Sequence, residues 1–177
     1  INKDITAKQT TIMEINGLIY KLSKELKWLV VAFVIVLSIG FYSGLLFVGE
    51  TSSANPNGIE EHYLGNESDE EAVIMKFKKS DKEMLSMVHN HILSMSIIFF
   101  LVGLLVAITD LKKKAKLFLM IEPFVSVVLT FGGIYLLWKG FLWMKYIVMI
   151  SGTLMTLTFA LSVIIIFIQL FKNKSIG

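Results

Sequence analysis

Four long runs of apolar residues dominate the pattern of the chain. The runs at 28–48, 92–109 and 146–171 contain no charged residue, and the run at 117–138 contains only Glu122. A helix of about 20 apolar residues spans the hydrocarbon core of a bilayer. Because lipid cannot satisfy free backbone groups and no alternating barrel pattern is present, the runs are predicted to be helices. The sequence therefore predicts an all-α membrane protein, an antiparallel four-helix transmembrane bundle.

A capping motif lengthens the second helix. Ser80-Asp-Lys-Glu83 has the form in which a serine and a glutamate three residues later begin a helix. We therefore expect the second helix to begin near residue 81. The predicted membrane spans are then about 28–48, 84–109, 117–138 and 146–171, with an extracytoplasmic loop over 50–83 between the first two helices.

Residues 1–27 are predicted to form an N-terminal amphipathic helix ahead of the transmembrane domain, 28–177. The motif Thr11-Ile-Met-Glu14 is another capping box, and apolar residues recur at helical spacing at Ile5, Ile12, Ile15, Ile19, Leu22 and Leu26. Such a helix lies on the inner membrane surface or against the loop at 112–116, or it docks on a partner subunit. We expect the first span to be a signal anchor that is not cleaved. Because the numbering begins at Ile1 and not at a Met, we also expect that further residues can precede Ile1.

Lysine placement predicts the orientation. Lysines precede the first span, fill the loop at 112–116 and follow the last span, whereas residues 50–85 hold nine of the fourteen acidic residues. Lysine-rich loops stay in the cytoplasm. We therefore expect a bacterial inner-membrane protein with both termini cytoplasmic and residues 50–83 outside.

The amino-acid composition limits the classes of partner and ligand that the chain can bind. Hydrophobic residues make up 55% of the chain and mean hydropathy is +0.70, which suits lipid as the surrounding solvent. All 17 basic residues are Lys, so bidentate guanidinium recognition is excluded and nucleic acid is not an expected partner. The absence of Cys excludes disulfides, thiolate metal sites and covalently attached haem.

Methionines and histidines at the start of the second span form the main candidate site. Helical spacing of three, four and four places the following residues on one face: Met84, Met87, His91 and Met95. His89 points away from that face, and His62 lies in the outer loop. All three histidines therefore fall on one side of the membrane, in a cluster expected just outside the lipid.

Several ligands fit this cluster. His91 with Met87 or Met95 suits copper or a haem b with His and Met axial ligands, while His62, His89 and a carboxylate such as Glu60 or Glu61 suit zinc. Only the second span carries histidine, so a haem would be held by His and Met or shared with another chain. The alternative is that the histidines are interfacial hydrogen-bonding groups and the methionines pack the core.

Glu122 is the single carboxylate within a predicted span. An acidic residue inside the membrane is a candidate for proton transfer or ion coordination. The alternative is that its side chain reaches the nearby lysines of 112–116 and forms an ion pair. It lies toward the membrane face opposite the histidines, so we treat the two features as separate.

Small residues four apart suggest close helix packing. They are Gly40 and Gly44 in the first span, Gly103 and Ala107 in the second, and Gly152, Thr156 and Ala160 in the fourth. We expect these faces to be used inside the bundle.

Three functions remain open. The first is a redox or respiratory membrane subunit that binds haem, copper or zinc through the His and Met cluster, with a role in electron transport. The second is an accessory or scaffold subunit of a larger membrane complex or homo-oligomer, and the third is a small oligomeric transporter that uses Glu122. No phosphate-binding loop, zinc-protease helix or nucleophile elbow is present, so the sequence favours a protein that is not an enzyme on its own.

Overall fold

The described chain is helical and crosses the membrane four times. A computed structural model describes residues 15–67 and 73–172. In chain order it contains a 3₁₀ helix (Leu18–Lys21), α1 (Lys24–Ser52), α2 (Pro56–Leu64), α3 (Asp81–Ala107), α4 (Lys113–Val127), a π-helix (Val128–Gly132), α5 (Gly133–Trp138) and α6 (Met144–Phe171). Four stretches are long and apolar enough to span a bilayer: α1, α3, the continuous helix 113–138 and α6. The predicted integral membrane bundle is confirmed.

The capping box of α3 forms as the sequence predicts. The Ser80 side chain accepts a hydrogen bond from the Glu83 backbone N–H at 3.4 Å, and the Glu83 carboxylate accepts one from the Ser80 backbone N–H at 2.8 Å. These reciprocal bonds satisfy two backbone donors that a helix start otherwise leaves free. The helix accordingly begins at Asp81.

The segment before α1 differs from the predicted amphipathic helix. Residues 1–14, with the first capping box, lie outside the described residues, and 15–23 contain only a turn at Gly17 and the 3₁₀ helix. Gly17 adopts a left-handed φ of 75°, which interrupts an α-helix. Its N–H donates to the Thr109 carbonyl, and that of the fully buried Ile19 donates to the Ile108 carbonyl. The segment therefore packs against the α3–α4 connection.

Helix α1 lies at the edge of a more tightly packed group. The continuous helix 113–138 packs against α3 and α6. In the most apolar part of each span, 11% of residues are buried in α1, against 22% in α3, 50% in 113–138 and 39% in α6. Most of the α1 surface therefore faces lipid or another membrane protein.

We call the end of the bundle that carries residues 112–116 the lysine end and the opposite end, which carries α2, the cap end. The cap, residues 56–67 and 73–80, is tied to the helices beneath it. Lys145 Nζ lies 2.6 Å from Glu60 Oε2, and the Trp138 indole N–H donates to the Lys79 carbonyl at 2.8 Å. Helix α2 contacts both α5 and α6. The segment between α1 and α3 thus folds back over one end of the bundle.

Candidate functional site

His91 lies on α3, one of the four candidate membrane-spanning helices. It is ten residues along α3 from Asp81, or about 15 Å at 1.5 Å per residue. Its ring centroid is 4.8 Å from that of Phe131, which belongs to the π-helix. His91 therefore lies at the level of the π-helix, and its position just outside the lipid stays a prediction.

The His91 ring has a defined hydrogen-bonding arrangement. Nδ1 lies 2.8 Å from the Met87 carbonyl oxygen. A carbonyl oxygen can only accept, so Nδ1 carries the proton and donates it. In the neutral ring this leaves the lone pair on Nε2, the atom available to bind a metal or a donor. The side chain of His91 is exposed on the surface of the bundle.

The methionines of the cluster have different environments. Met84 is 1% exposed and belongs to the hydrophobic core. Met87 and Met95 are partly buried and pack against that core. Met84 is therefore a packing residue, and the other two remain near the surface that carries His91.

His62 lies in a basic part of the cap. Burial first, and then the charges of Lys79 and Lys76, hold its pKa below the ordinary histidine value. The neighbouring Tyr63 ring is 4.7 Å away, centroid to centroid, and burial raises the pKa of Tyr63 to about 12. A neutral imidazole beside two lysines is a poor location for a cation.

The carboxylates expected to join His62 already have partners. Glu60 pairs with Lys145 at 2.6 Å, and Glu61 pairs with Lys76 at 3.4 Å. His89 is exposed on α3. Across 15–67 and 73–172, no three side chains among His, Asp and Glu lie close enough together to hold one metal ion.

Glu122 is buried, and one of its oxygens has no partner. The side chain is 8% exposed, the Ser126 hydroxyl donates to Oε1, and Oε2 is fully buried without a hydrogen bond. The nearby Lys116 instead donates to the carbonyls of Ala107 and Thr109, at 2.8 and 2.7 Å. The expected ion pair between Glu122 and the lysines at 112–116 is not formed within the described residues.

Glu122 belongs to a stripe of buried polar side chains that the sequence analysis missed. The Thr130 and Ser151 hydroxyls lie 2.7 Å apart and join the π-helix to α6. The buried members of the stripe are Glu122, Ser126, Thr130, Ser151, Thr158 and Ser162. The spacing of four between 122, 126 and 130 is the signal that could have identified it.

Gly40 and Gly44 are not used for packing inside the described bundle. A Cβ atom added at either position would meet no atom within 4 Å. The expectation that these small residues pack the helices of this chain against each other is therefore wrong for α1. Gly152 does approach a neighbour, since its added Cβ would lie 3.9 Å from the Thr130 side chain.

Comparison with known proteins identifies a family of membrane domains. A family model described as a transmembrane helical domain matches residues 53–176, which include the cap, α3 and the remaining helices. No curated protein and no solved structure matches the chain.

Proposed function

The chain belongs to the Aq_1264_TM family of transmembrane helical domains, and from this premise we propose that it is an assembly subunit of a larger membrane complex. In this proposal it binds a transmembrane helix of another membrane protein along one face of α1. The observation that carries the proposal is the pair Gly40 and Gly44, which faces open space in a helix buried over only 11% of its most apolar part.

The face has the composition of a helix-packing surface. At 100° per residue, Gly40 and Gly44 lie 40° apart, and the exposed Val36 and Phe47 lie on the same side. Glycines four apart let two helix backbones approach closely, which increases van der Waals contact where lipid supplies no hydrophobic driving force. Larger apolar side chains beside them provide the walls of the groove.

The attachment of α1 at both ends supports this role. At the lysine end, the preceding 3₁₀ helix packs against α6 and the α3–α4 connection. At the cap end, α1 packs against α2. A helix fixed at both ends loses little further freedom when another helix binds to its middle, which favours association.

The experiment compares glycine variants in the native host. The tagged full-length chain is extracted with a mild detergent, and the mass of the particle is measured by native mass spectrometry. We expect a particle larger than one chain, and loss of the additional chain in the Gly40→Leu, Gly44→Leu double variant. Gly49→Leu is the matched control, because Gly49 also faces open space but lies half a turn away from Gly40.

The outcomes separate the alternatives. A wild-type particle of one chain overturns the proposal, as does a double variant that keeps its partner. A particle that contains only copies of this chain identifies a homo-oligomer and overturns the proposed partner. Thermal unfolding of each variant shows whether the substitutions have damaged the fold itself.

A haem or metal subunit in a redox complex is a second candidate, and the hydrogen bond from His91 Nδ1 to Met87 supports it. Metal-binding histidines usually donate their other ring N–H to a backbone carbonyl or carboxylate in this way. His91 is exposed, so its Nε2 would share the cofactor with the partner chain, and Met87 or Met95 would supply a thioether. The intact complex should then have a Soret band or bound copper or zinc.

His91→Gln should remove that signal, whereas His89→Gln, a change at an exposed position on the same helix, should retain it. A colourless complex without bound metal would exclude this candidate. The assembly proposal does not depend on the result.

A further inference from the structure

We propose that the cap end of the bundle binds the headgroup phosphate of an anionic phospholipid at a cluster of side chains around Trp138. We call this cluster the Trp138 site, and it consists of Lys78, Tyr135, Trp138 and Lys139. It lies on the cap and on α5, apart from the open face of α1. The proposal is therefore independent of the proposed assembly role.

Two lysines bring positive charge to the same indole ring. Lys78 Nζ lies 5.3 Å from the centroid of the Trp138 ring, and Lys139 Nζ lies 4.4 Å from it. Lys139 Nζ is also 5.6 Å from the centroid of Tyr135. The two ammonium groups are therefore less than about 10 Å apart, a distance over which like charges repel at physiological ionic strength. A bound anion would relieve this repulsion.

The carboxylates of the described cap do little to compensate this charge. Lys139 lies 3.9 Å from Asp81, whose side chain is 81% exposed, and an ion pair of this kind in water is weak. Glu60 and Glu61 pair with other lysines. Within 15–67 and 73–172, Lys78 forms no ion pair. The Trp138 site is thus available to an external anion.

The backbone that carries Lys78 is held in place by its neighbours. The Lys79 N–H donates to the Tyr63 carbonyl at 3.1 Å, and the Lys79 carbonyl accepts from the Trp138 indole N–H at 2.8 Å. A Cβ atom added to Gly65 would lie 2.8 Å from the Lys78 backbone nitrogen, so the residue after α2 packs directly against this segment. A site with a fixed backbone has less conformational entropy to lose when a ligand binds.

The Trp138 site lies at the depth of the lipid headgroups. Trp138 is the last residue of the candidate span Lys113–Trp138, and Lys139 follows it directly. Trp143 and Tyr146 are exposed shortly after it, as in the aromatic belt at a membrane boundary. Lysine stems at such a boundary lie along apolar surface while the ammonium groups remain in the polar layer. The anions present in that layer are phospholipid phosphates.

Exposed apolar side chains next to the lysines favour a lipid over free phosphate. Phe77 directly precedes Lys78, and Phe141 and Leu142 follow Lys139 in the turn between α5 and α6, and all three are exposed. In an interfacial segment, apolar side chains contact the acyl chains while basic side chains contact the headgroups. A phospholipid offers both kinds of contact, whereas inorganic phosphate offers one.

The test measures ligand binding to the purified full-length chain in detergent, from the rise in melting temperature with ligand concentration. The probes are phosphatidylglycerol, phosphatidylcholine with the same acyl chains, and inorganic phosphate. The test variant is the Lys78→Gln, Lys139→Gln double variant. The matched control is Lys24→Gln with Lys82→Gln, which removes the same charge at two exposed lysines of α1 and α3.

We expect wild type to bind phosphatidylglycerol more tightly than phosphatidylcholine and to gain no stability from inorganic phosphate. Each lysine removed from the Trp138 site should weaken phosphatidylglycerol binding about fivefold, while the control double variant should keep the wild-type affinity. Lys78→Arg with Lys139→Arg should also keep it, because both charges remain. Melting temperatures without ligand show whether each variant is folded, and the single Gln variants replace the double variant if it is not.

Three results would overturn the proposal. Equal affinity of wild type for the two lipids means that headgroup charge is not recognised. An equal rise in melting temperature with inorganic phosphate means a site for free phosphate. Equal weakening in the test and control double variants means that phosphatidylglycerol is attracted by the net charge of the protein and not by the Trp138 site.

Discussion

At the scale of single residues, charged side chains of the cap form ion pairs that connect separate segments of the chain. Glu60 and Lys145 connect α2 to the start of α6, and Glu61 and Lys76 connect two parts of the cap. The Lys145 ammonium donates hydrogen bonds to the Glu60 carboxylate at 2.6 Å and to the Asn57 side-chain oxygen at 3.0 Å. His62 is different, because burial and two nearby lysines favour its neutral form.

The state of His62 predicts how the stability of the fold depends on pH. Its pKa in the folded chain is below the unfolded value of about 6.5, so the unfolded chain binds more protons in the interval between these two values. The stabilisation is complete above pH 6.5 and is lost as pH falls through that interval. We expect thermal unfolding in detergent to show this loss as the pH falls below 6.5, the ordinary pKa of histidine.

The matched variant for this prediction is His62→Gln. Carboxylates titrate in the same samples, so the relevant quantity is the difference in melting temperature between wild type and variant at each pH. A difference that does not change with pH would show that protonation of His62 is not coupled to folding.

Among the elements, the position of α2 depends on a close contact between Gly58 and the end of α1. Helix α1 ends at Ser52, and α2 begins four residues later at Pro56, so the chain reverses in a short space. A Cβ atom added to Gly58 would lie 1.9 Å from the Ser52 carbonyl oxygen, which no rearrangement of a side chain can relieve. The position therefore requires glycine.

We predict that Gly58→Ala destabilises the protein by about 2 kcal/mol or detaches the cap. Gly49→Ala is the control, since it also replaces a helical glycine and its added Cβ meets nothing within 4 Å. The measurements are thermal unfolding and the rate of proteolysis between α2 and α3. Equal behaviour of the two variants would contradict the close contact between α1 and α2.

Comparison of the elements with the sequence shows what a pattern can predict. Long uncharged runs and the Ser80–Glu83 motif act through residues that are close together in the chain. The four spans and the start of α3 can therefore be predicted from the sequence. Helix α2 was missed, although Asn55 before Pro56 has the form of a helix start and the Asn55 side chain does accept from the Gly58 N–H.

Other features depend on packing between distant residues and leave no local pattern. The π-helix at 128–132 turns Thr130 toward Ser151, which lies 21 residues away in the chain. Similarly, the spacing of Gly40 and Gly44 indicates a packing face but not whether that face packs inside the chain. The sequence identified Glu122 and His91 as candidates, whereas the partners of both side chains required the fold.

At the scale of the whole molecule, the four spans bring the loop at 112–116 and the cap to opposite membrane faces. We expect the cap outside and residues 112–116 in the cytoplasm, because lysine-rich loops remain inside. The chain has no cysteine, so a single introduced cysteine can be labelled without background.

A membrane-impermeant maleimide added to intact cells should label Val73→Cys, since Val73 is 99% exposed on the cap. It should label Lys113→Cys only after the membrane is permeabilised. The reverse pattern would invert the predicted orientation, and labelling of both sites in intact cells would contradict a position on opposite faces.

The attachment of α1 at both ends also affects how the molecule responds to bilayer thickness. A helix with one free end can tilt by itself to match a thinner or thicker hydrocarbon layer. Helix α1 cannot do so without disturbing α2 or the residues that precede Lys24. The four spans should therefore tilt together as one body, so a change of lipid would reorient the open face of α1 relative to any neighbouring protein.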